Sequence, residues 1–311
     1  MKTTKLLSIL VVAATVLALS AVPLLAQRPG KAPKRTYVAP EESFGYRPPP
    51  VDLRGIRPIR EGLGALDLPA SWDWRTLGGV TSVKNQNPYG TCWAFATVGD
   101  LESKVLLAEA VAYDYSELNI VACVPQDPTC NTGGNAWEST NYLTLLGSVY
   151  EACNPYPGAC PVPACVNPAC PYQKRVTEWR VIPNDLTAIK TAVMTYGPVY
   201  TAMYASFPGF STYNGTGCLV YTGSEEPNHG VLIVGWDDSM CGGNGAWIVK
   251  NSWGTSWGAT GYFYIQYGSA QVGTDVSVLT AYNDNDASQT IYYNDDWGWW
   301  GSVGYGDGDD Y

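Results

Sequence analysis

Four residues have types and neighbours that suit them to act together on a carbonyl. They are Cys92 in "YGTCWAF", Gln86 six residues before it, His229 in "NHGVLIVGW" and Asn251 in "IVKNSWG". A thiol is a strong nucleophile at neutral or acidic pH only as the thiolate, which a helix N-terminus or a neighbouring imidazolium favours. After Cys92, "CWAFATVGDLESKVLLAEA" repeats its apolar residues at helical spacing for about five turns, so the thiol stands in the first turn of a helix. His229 is the single histidine of the chain, which excludes paired-histidine zinc motifs and leaves an imidazole-assisted nucleophile one partner. A lone histidine at the start of an apolar strand is ordinarily structural. Here the neighbouring motifs favour an acid/base role instead. The Gln86 amide, beside the backbone N–H of Cys92, suits an oxyanion, and Asn251 suits the task of holding the ring, with Trp253 or Trp257 excluding water.

The cysteine count bears on the same question. Nine cysteines stand at 92, 123, 130, 153, 160, 165, 170, 218 and 241. In an oxidising compartment an odd number leaves one thiol free or joins the chain to a partner. Export is indicated by Lys2 and Lys5, the apolar run Leu6 to Leu19 and small residues up to Ala26, which together read as a secretory signal peptide over 1–26. An uncleaved membrane anchor is the competing reading, and Pro23 with the small residues argues against it. The stretch "CNPYPGACPVPACVNPACPY" packs four cysteines and six prolines into twenty residues. It lacks zinc-knuckle spacing and a nearby histidine, so a disulfide-stapled surface loop is expected, with no metal and no cofactor.

These side chains need elements to carry them. Residues 27–66 are rich in Pro, Gly and Arg without helical or alternating period, and read as an extended linker or short pro-segment. Order is expected from residue 67 to residue 282. Helices are predicted from Cys92 onward, from Ser116 to Cys123, around Trp137 to Leu146 and from Asn184 to Tyr196; strands are predicted at "VYTAMYA", "GVLIVGW", "AWIVKNSW" and "GYFYIQYG". A helical first half followed by an antiparallel second half is an α+β chain of two lobes, and a cleft between lobes is the natural place for a site. The net charge of −10 divides into +6 over residues 1–66, −9 over 67–282 and −7 over 283–311. An acidic body does not suit nucleic acid, whereas a basic leader could lie on it until removed. The 283–311 tail holds seven Asp but lacks the strict spacing of a calcium loop, leaving a flexible acidic tail as one reading.

Taken together, "DWR" at 73–75, "VTSVKNQ" ending at Gln86, "CWAF" at Cys92, "GG" at Gly133 and Gly134, "NHG" at His229, "KNSWGTSWG" ending at Gly258 and "GY" at Gly261 and Tyr262 resemble the papain-like cysteine peptidases over residues 67–282. The resemblance implies the papain-like two-lobed fold, with Cys92 on the helical lobe and His229 and Asn251 on a barrel-like antiparallel lobe. It implies Cys92 as nucleophile, His229 as general acid/base, Asn251 as orienter of the ring and Gln86 as oxyanion donor. By matching positions it also implies substrate contacts at Gly133, Gly134, Asn135, Ala136, Ala202, Pro227, Gly230 and Trp253. Small residues there leave room for a medium or large apolar or aromatic side chain two residues before the scissile bond. No acidic group among Asn135, Ala136, Ala202, Pro227 and Gly230 favours arginine at that position.

Departures from the family are informative. Tyr89 stands where a cysteine usually precedes the nucleophile by three residues, so Cys130 needs another partner, with Cys123 the near candidate. Cys218 with Cys241 and two bonds within the insert would complete four disulfides, although sequence alone does not fix the connectivity. The pro-segment is too short for the helical inhibitory prodomain of many relatives, and Arg54, Arg57 and Arg60 fit processing by a trypsin-like activity or plain solvation. The tail resembles the opening strands of β-rich domains that follow the peptidase in some bacterial relatives. The expected protein is therefore a secreted or otherwise exported thiol endopeptidase acting on peptides or proteins as a monomer. The alternatives are a catalytically silent peptide- or glycan-binding protein of the same fold, and an acyl transferase or ligase using the same Cys and His.

Overall fold

The computed structural model describes residues 44–50, 67–124, 130–156 and 170–284. The expectations for the signal peptide, most of the 27–66 segment, Cys160, Cys165 and the tail beyond residue 284 lie outside the described residues. Among the described residues, four helices of seven residues or more are present, α1 (Cys92–Glu109), α2 (Glu117–Cys123), α3 (Ala136–Leu145) and α4 (Leu186–Tyr196), besides a single turn at Met240–Gly243. Three begin at side-chain caps, with Ser116, Asn135 and Asp185 each accepting from the backbone N–H three residues on. Such caps satisfy donors that the first turn leaves unpaired, and they set the starts of α2, α3 and α4 within two residues of the positions expected.

Seven strands form one antiparallel sheet: β1 (Ser71–Asp73), β2 (Lys174–Val181), β3 (Val199–Met203), β4 (His229–Asp237), β5 (Ala246–Lys250), β6 (Tyr262–Gln266) and β7 (Thr274–Asp284). The order is β2-β7-β3-β4-β5-β6, with β1 on β4. The four expected strands are β3 to β6. Strands β2 and β7 revise the picture of a helical half followed by a sheet half, because they pair with each other while Val176 and Leu279 pack into the core of the helical lobe. Their sequences, "KRVTEWRV" and "TDVSVLTAYND", carry polar residues on a half-exposed face, which dilutes the apolar signal that marks β4 and β5.

Two large hydrophobic cores result, with two smaller clusters beside them. One gathers Trp93, Val98, Leu101, Val105, Ile120 and Leu143 of the helices; the other gathers Val199, Ile233, Trp236, Trp247, Val249 and Phe263 of the sheet. Helix α1 stands between them, and most of its residues are buried, which is why it carries so little polar surface. Lys84 ties the entering loop to two helices. Its Nζ lies 2.7 Å from Glu102, 2.8 Å from Glu117 and 2.7 Å from Asp114, and donates to the Tyr115 carbonyl at 2.9 Å. Disulfides join Cys153 to Cys170 and Cys218 to Cys241. Cys123 and Cys130 are disulfide-bonded as well.

Candidate active site

Cys92 is fully buried and is the free cysteine among the described residues. It opens α1, whose N-cap, Thr91, makes no side-chain capping bond; the Thr91 hydroxyl lies 2.6 Å from that of Tyr156 instead. The thiol therefore sits at a positive helix end whose donors the cap does not occupy. Its sulfur accepts a hydrogen bond from the Gly230 N–H at 3.2 Å, which brings β4 of the sheet onto the first turn of α1.

His229, the residue before Gly230, opens β4 and is also fully buried. Its Nε2 lies 2.8 Å from Asn251 Oδ1, and that oxygen also accepts the Ser252 backbone N–H at 2.8 Å. An N–H can only donate, so the Asn251 atom is the oxygen, and the imidazole must carry its proton on Nε2. The neutral ring then holds a bare Nδ1, a buried nitrogen with no hydrogen-bond partner. Trp253 covers the ring at a centroid separation of 5.2 Å, and Trp257 packs on Trp253 at 5.1 Å.

Gln86 is fixed on both sides. Its backbone N–H donates to the Ser252 carbonyl at 2.8 Å, the Ser252 hydroxyl donates to Gln86 Oε1 at 2.6 Å, and Tyr156 donates to the Gln86 carbonyl at 2.7 Å. With Oε1 engaged, Nε2 faces inward and donates to the carbonyls of Tyr89 at 2.9 Å and Phe44 at 3.0 Å.

The Phe44 carbonyl belongs to a segment that occupies the cleft. Gly134 donates to the Gly45 carbonyl at 2.8 Å and accepts from the Arg47 N–H at 2.8 Å, so residues 45–47 pair with Gly134 in the parallel sense around Tyr46. The Phe44 and Tyr46 N–H groups both point to the Asn228 carbonyl, at 3.2 and 3.4 Å. Phe44 packs on His229 and Trp253 with centroids 5.3 and 5.0 Å away. Gly45, at φ +112°, lies so close to Gly90 that a Cβ would stand 1.9 Å from the Gly90 oxygen. Tyr46 is buried with Cys92, Ala96, Ala136, Tyr200 and Ala202, and its hydroxyl donates to Asp275.

The family model for papain family cysteine proteases matches residues 68–305. The chain belongs to that family. It is 37% identical to cathepsin K of Gallus gallus over 201 residues, covering 62% of this chain and 58% of the relative. With human cathepsin L2 it shares 36% over 211 residues, covering 64% and 61%. The cysteine proteinase of Trypanosoma brucei brucei matches at 36% over 217 residues, covering 68% of this chain and 47% of the other. The chain thus spans between about half and three fifths of the length of these relatives. Among solved structures, the bromelain protease of Ananas comosus in complex with the E64 inhibitor superposes with TM-score 0.61 and 30% identity, covering 68% of this chain and 99% of that one.

Against the papain-family pattern, the other expected contact residues fall in different places. Ala136 and Ala202 touch Tyr46, and both backbone groups of Gly134 are used by the segment. Gly133, at φ +77°, has no room for a side chain, since a Cβ would lie 2.4 Å from the Gly45 oxygen. Gly230 turns its Cα toward Tyr200, whose hydroxyl would be 2.7 Å from a Cβ there. The Asn135 side chain caps α3 at 3.0 Å from the Glu138 N–H. Pro227 is buried immediately before the Asn228 carbonyl that receives the segment. Sequence reasoning missed Asp275 and Tyr200, and it read residues 27–66 as a pro-segment that could lie on the body without placing residues 44–47 against the site. The first two carried no motif, although an Asp at φ +48° opening a strand is a local anomaly.

Burial dominates the protonation of the site. It pushes the Cys92 thiol up to about 12, against the pull of the Gly230 N–H, and it pushes His229 down to about 4, against the pull of Asn251. Both shifts favour the uncharged thiol and the uncharged imidazole.

Proposed function

We propose that the protein is an exported cysteine endopeptidase whose own residues 44–47 hold it latent. The observation that carries this reading is that one short segment meets all four residues: Gln86 Nε2 donates to the Phe44 carbonyl, the Phe44 ring packs on the Asn251-held His229, and Tyr46 is buried with Cys92. A peptide carbonyl at that place would have its oxygen on Gln86 and the backbone N–H of Cys92. The Cys92 proton passes to His229 Nδ1, the thiolate adds to the carbonyl carbon, and the tetrahedral oxyanion is held by the two donors. His229 then gives its proton to the leaving amine, the C–N bond breaks and a Cys92 thioester remains. Water, deprotonated by Nδ1, attacks the thioester and releases the carboxylate and the free thiol.

Latency follows from chain direction. A substrate must put its reacting carbonyl on Gln86 and the residue before it in the side-chain pocket. In the segment the carbonyl is that of Phe44, whereas the pocket residue, Tyr46, comes after it. The segment crosses the cleft backwards and blocks it without presenting a bond in the reactive sense. Export is supported by the two described disulfides, which persist in oxidising compartments.

The test is mass-spectrometric mapping of a peptidyl epoxide on non-reduced protein freed of the 44–47 segment, with peptide hydrolysis assayed in parallel and His229→Ala as control. Labelling of Cys92 together with hydrolysis, both lost in the control, is expected. Labelling without hydrolysis would favour the silent binding protein. Transfer to an added amine in preference to water would favour the ligase.

A further inference from the structure

The two donors assigned to the oxyanion stand on different parts of the chain. Gln86 is bonded to Ser252 through both its backbone N–H and its Oε1, whereas the backbone N–H of Cys92 belongs to the first turn of α1. Between them runs "NPYGT", residues 87–91, with no cysteine to fix its course. Their spacing matters, because a misplacement of about 1 Å can cost such a site a hundredfold in rate.

One side chain bridges the two ends of that loop. The Tyr156 hydroxyl lies 2.7 Å from the Gln86 carbonyl and 2.6 Å from the hydroxyl of Thr91, the residue before Cys92. A carbonyl only accepts and a phenol has one proton, so Tyr156 donates to Gln86 and accepts from Thr91. The Tyr156 ring stands edge-on to Phe95 in the same first turn, with centroids 4.8 Å apart, and to Tyr89 at 6.5 Å. Its backbone is held from outside the loop. The Tyr156 N–H donates to Glu151 Oε1 at 2.6 Å, the Glu151 N–H donates to the Asp114 carbonyl at 2.9 Å, and Cys153 is joined to Cys170. The phenol therefore has anchors that do not depend on the loop it spans.

We propose that Tyr156 is a positioning residue that sets the distance between the Gln86 amide and the first turn of α1, and so keeps the two oxyanion donors aligned. The proposal rests on the peptidase reading, since it takes an oxyanion to form between them. Among the described residues the Tyr156 hydroxyl bonds to Gln86 and Thr91 and to neither the Cys92 thiol nor the His229 ring. Its effect belongs to the step that builds charge on the carbonyl oxygen, and the nucleophilicity of the sulfur is left alone. Removing the phenol also strands no buried acceptor, because the Gln86 carbonyl keeps the Tyr89 N–H at 3.1 Å.

The experiment uses the full chain carrying Tyr46→Gly, which takes the buried ring out of the cleft, with Tyr156→Phe, Gln86→Ala or both added. Peptide hydrolysis is resolved into kcat and KM. Alkylation of Cys92 by iodoacetamide, a displacement in which no oxyanion forms, is followed across pH. Tyr156→Phe is expected to lower kcat about tenfold, with KM and the alkylation profile within about twofold of the parent. Added to Gln86→Ala, the same change should cost less than about twofold, because the donor that Tyr156 places is already gone. An unaltered kcat, a loss confined to KM, a parallel fall in alkylation, or full additivity with Gln86→Ala would each overturn the proposal and leave the peptidase reading standing. A parent that is alkylated at Cys92 but hydrolyses no peptide would sink that reading and the proposal with it.

Discussion

Asn251 Oδ1 holds His229 by Nε2 at 2.8 Å, and the ring's other nitrogen is thereby left free of its proton. The asparagine thus chooses the tautomer as well as the tilt of the ring. Asn251→Ala should lower kcat/KM by about 10- to 100-fold, the worth of a hydrogen bond to a charged group. Asn251→Asp should restore orientation and move the alkaline limb of the pH profile upward, because a carboxylate favours the imidazolium. An Asp variant with the limb unmoved would show that Asn251 does not act on the ring.

Gln86 is anchored by Ser252 and Tyr156 and donates only inward, so its contribution belongs to the transition state. Gln86→Ala should reduce kcat by roughly 100- to 1,000-fold with little change in KM. Steady-state kinetics on one peptide checks this; a loss confined to KM would mark Gln86 as a binding residue.

Covering the cleft and charging it are opposed. In the full chain the thiol is protonated and the ring neutral over the ordinary pH range, since burial has moved one up to about 12 and the other down to about 4. Alkylation of Cys92 by iodoacetamide should therefore be slow and rise only toward alkaline pH. With Tyr46→Gly, water returns, the desolvation that separated the two values falls, and an imidazolium–thiolate pair can form. Its alkylation should then show a plateau bounded by an acid limb. A plateau already present in the full chain would refute the covered state.

Gly45 offers a direct handle on latency. A Cβ there would lie 1.9 Å from the Gly90 oxygen, and both partners are backbone. Gly45→Ala should dislodge the segment and raise the activity of the unprocessed chain toward that of Tyr46→Gly, measured as initial rate on one peptide. An unaltered rate would mean that the segment does not limit access.

Lys84 neutralises two buried carboxylates. Replacing it with methionine strands Glu102 and Glu117, and the expected cost is about 3–5 kcal/mol in urea unfolding. Even beside Lys84, burial pushes Glu117 from 4.5 to about 8, so the folded chain binds a proton there that the unfolded chain releases. That contribution is present below the lower value and is lost as pH rises through the upper one. The variant should therefore suffer more at pH 8 than at pH 5.

What could be read in advance divides along a physical line. Cys92, Gln86, His229 and Asn251 sit in compact motifs, each beside a helix start or a strongly apolar strand, and local pattern reveals such places. Helices α2 to α4 announced themselves through caps and apolar spacing. Strands β2 and β7 did not, because their pairing partners lie about a hundred residues apart and one face of each is wet. Residues 44–47 have no period of their own, and the bonds that order them reach residues distant in sequence, among them Gln86, Gly134, Glu138, Asn228 and Asp275. Asp275 escaped for the same reason. Matching positions point to five small residues, whereas this carboxylate arrives from the start of β7.

The backward course of residues 44–47 also has a kinetic consequence. The segment and the cleft are one molecule, joined through residues 48–66, and such a tether keeps its concentration at the cleft on the order of millimolar whatever the dilution of the protein. Severing the tether anywhere, for instance beside Arg54, Arg57 or Arg60, turns a local concentration into a bulk one. The segment, no longer tethered, can then diffuse away. Activation by this route needs no rearrangement of the catalytic residues, and at high dilution it runs one way.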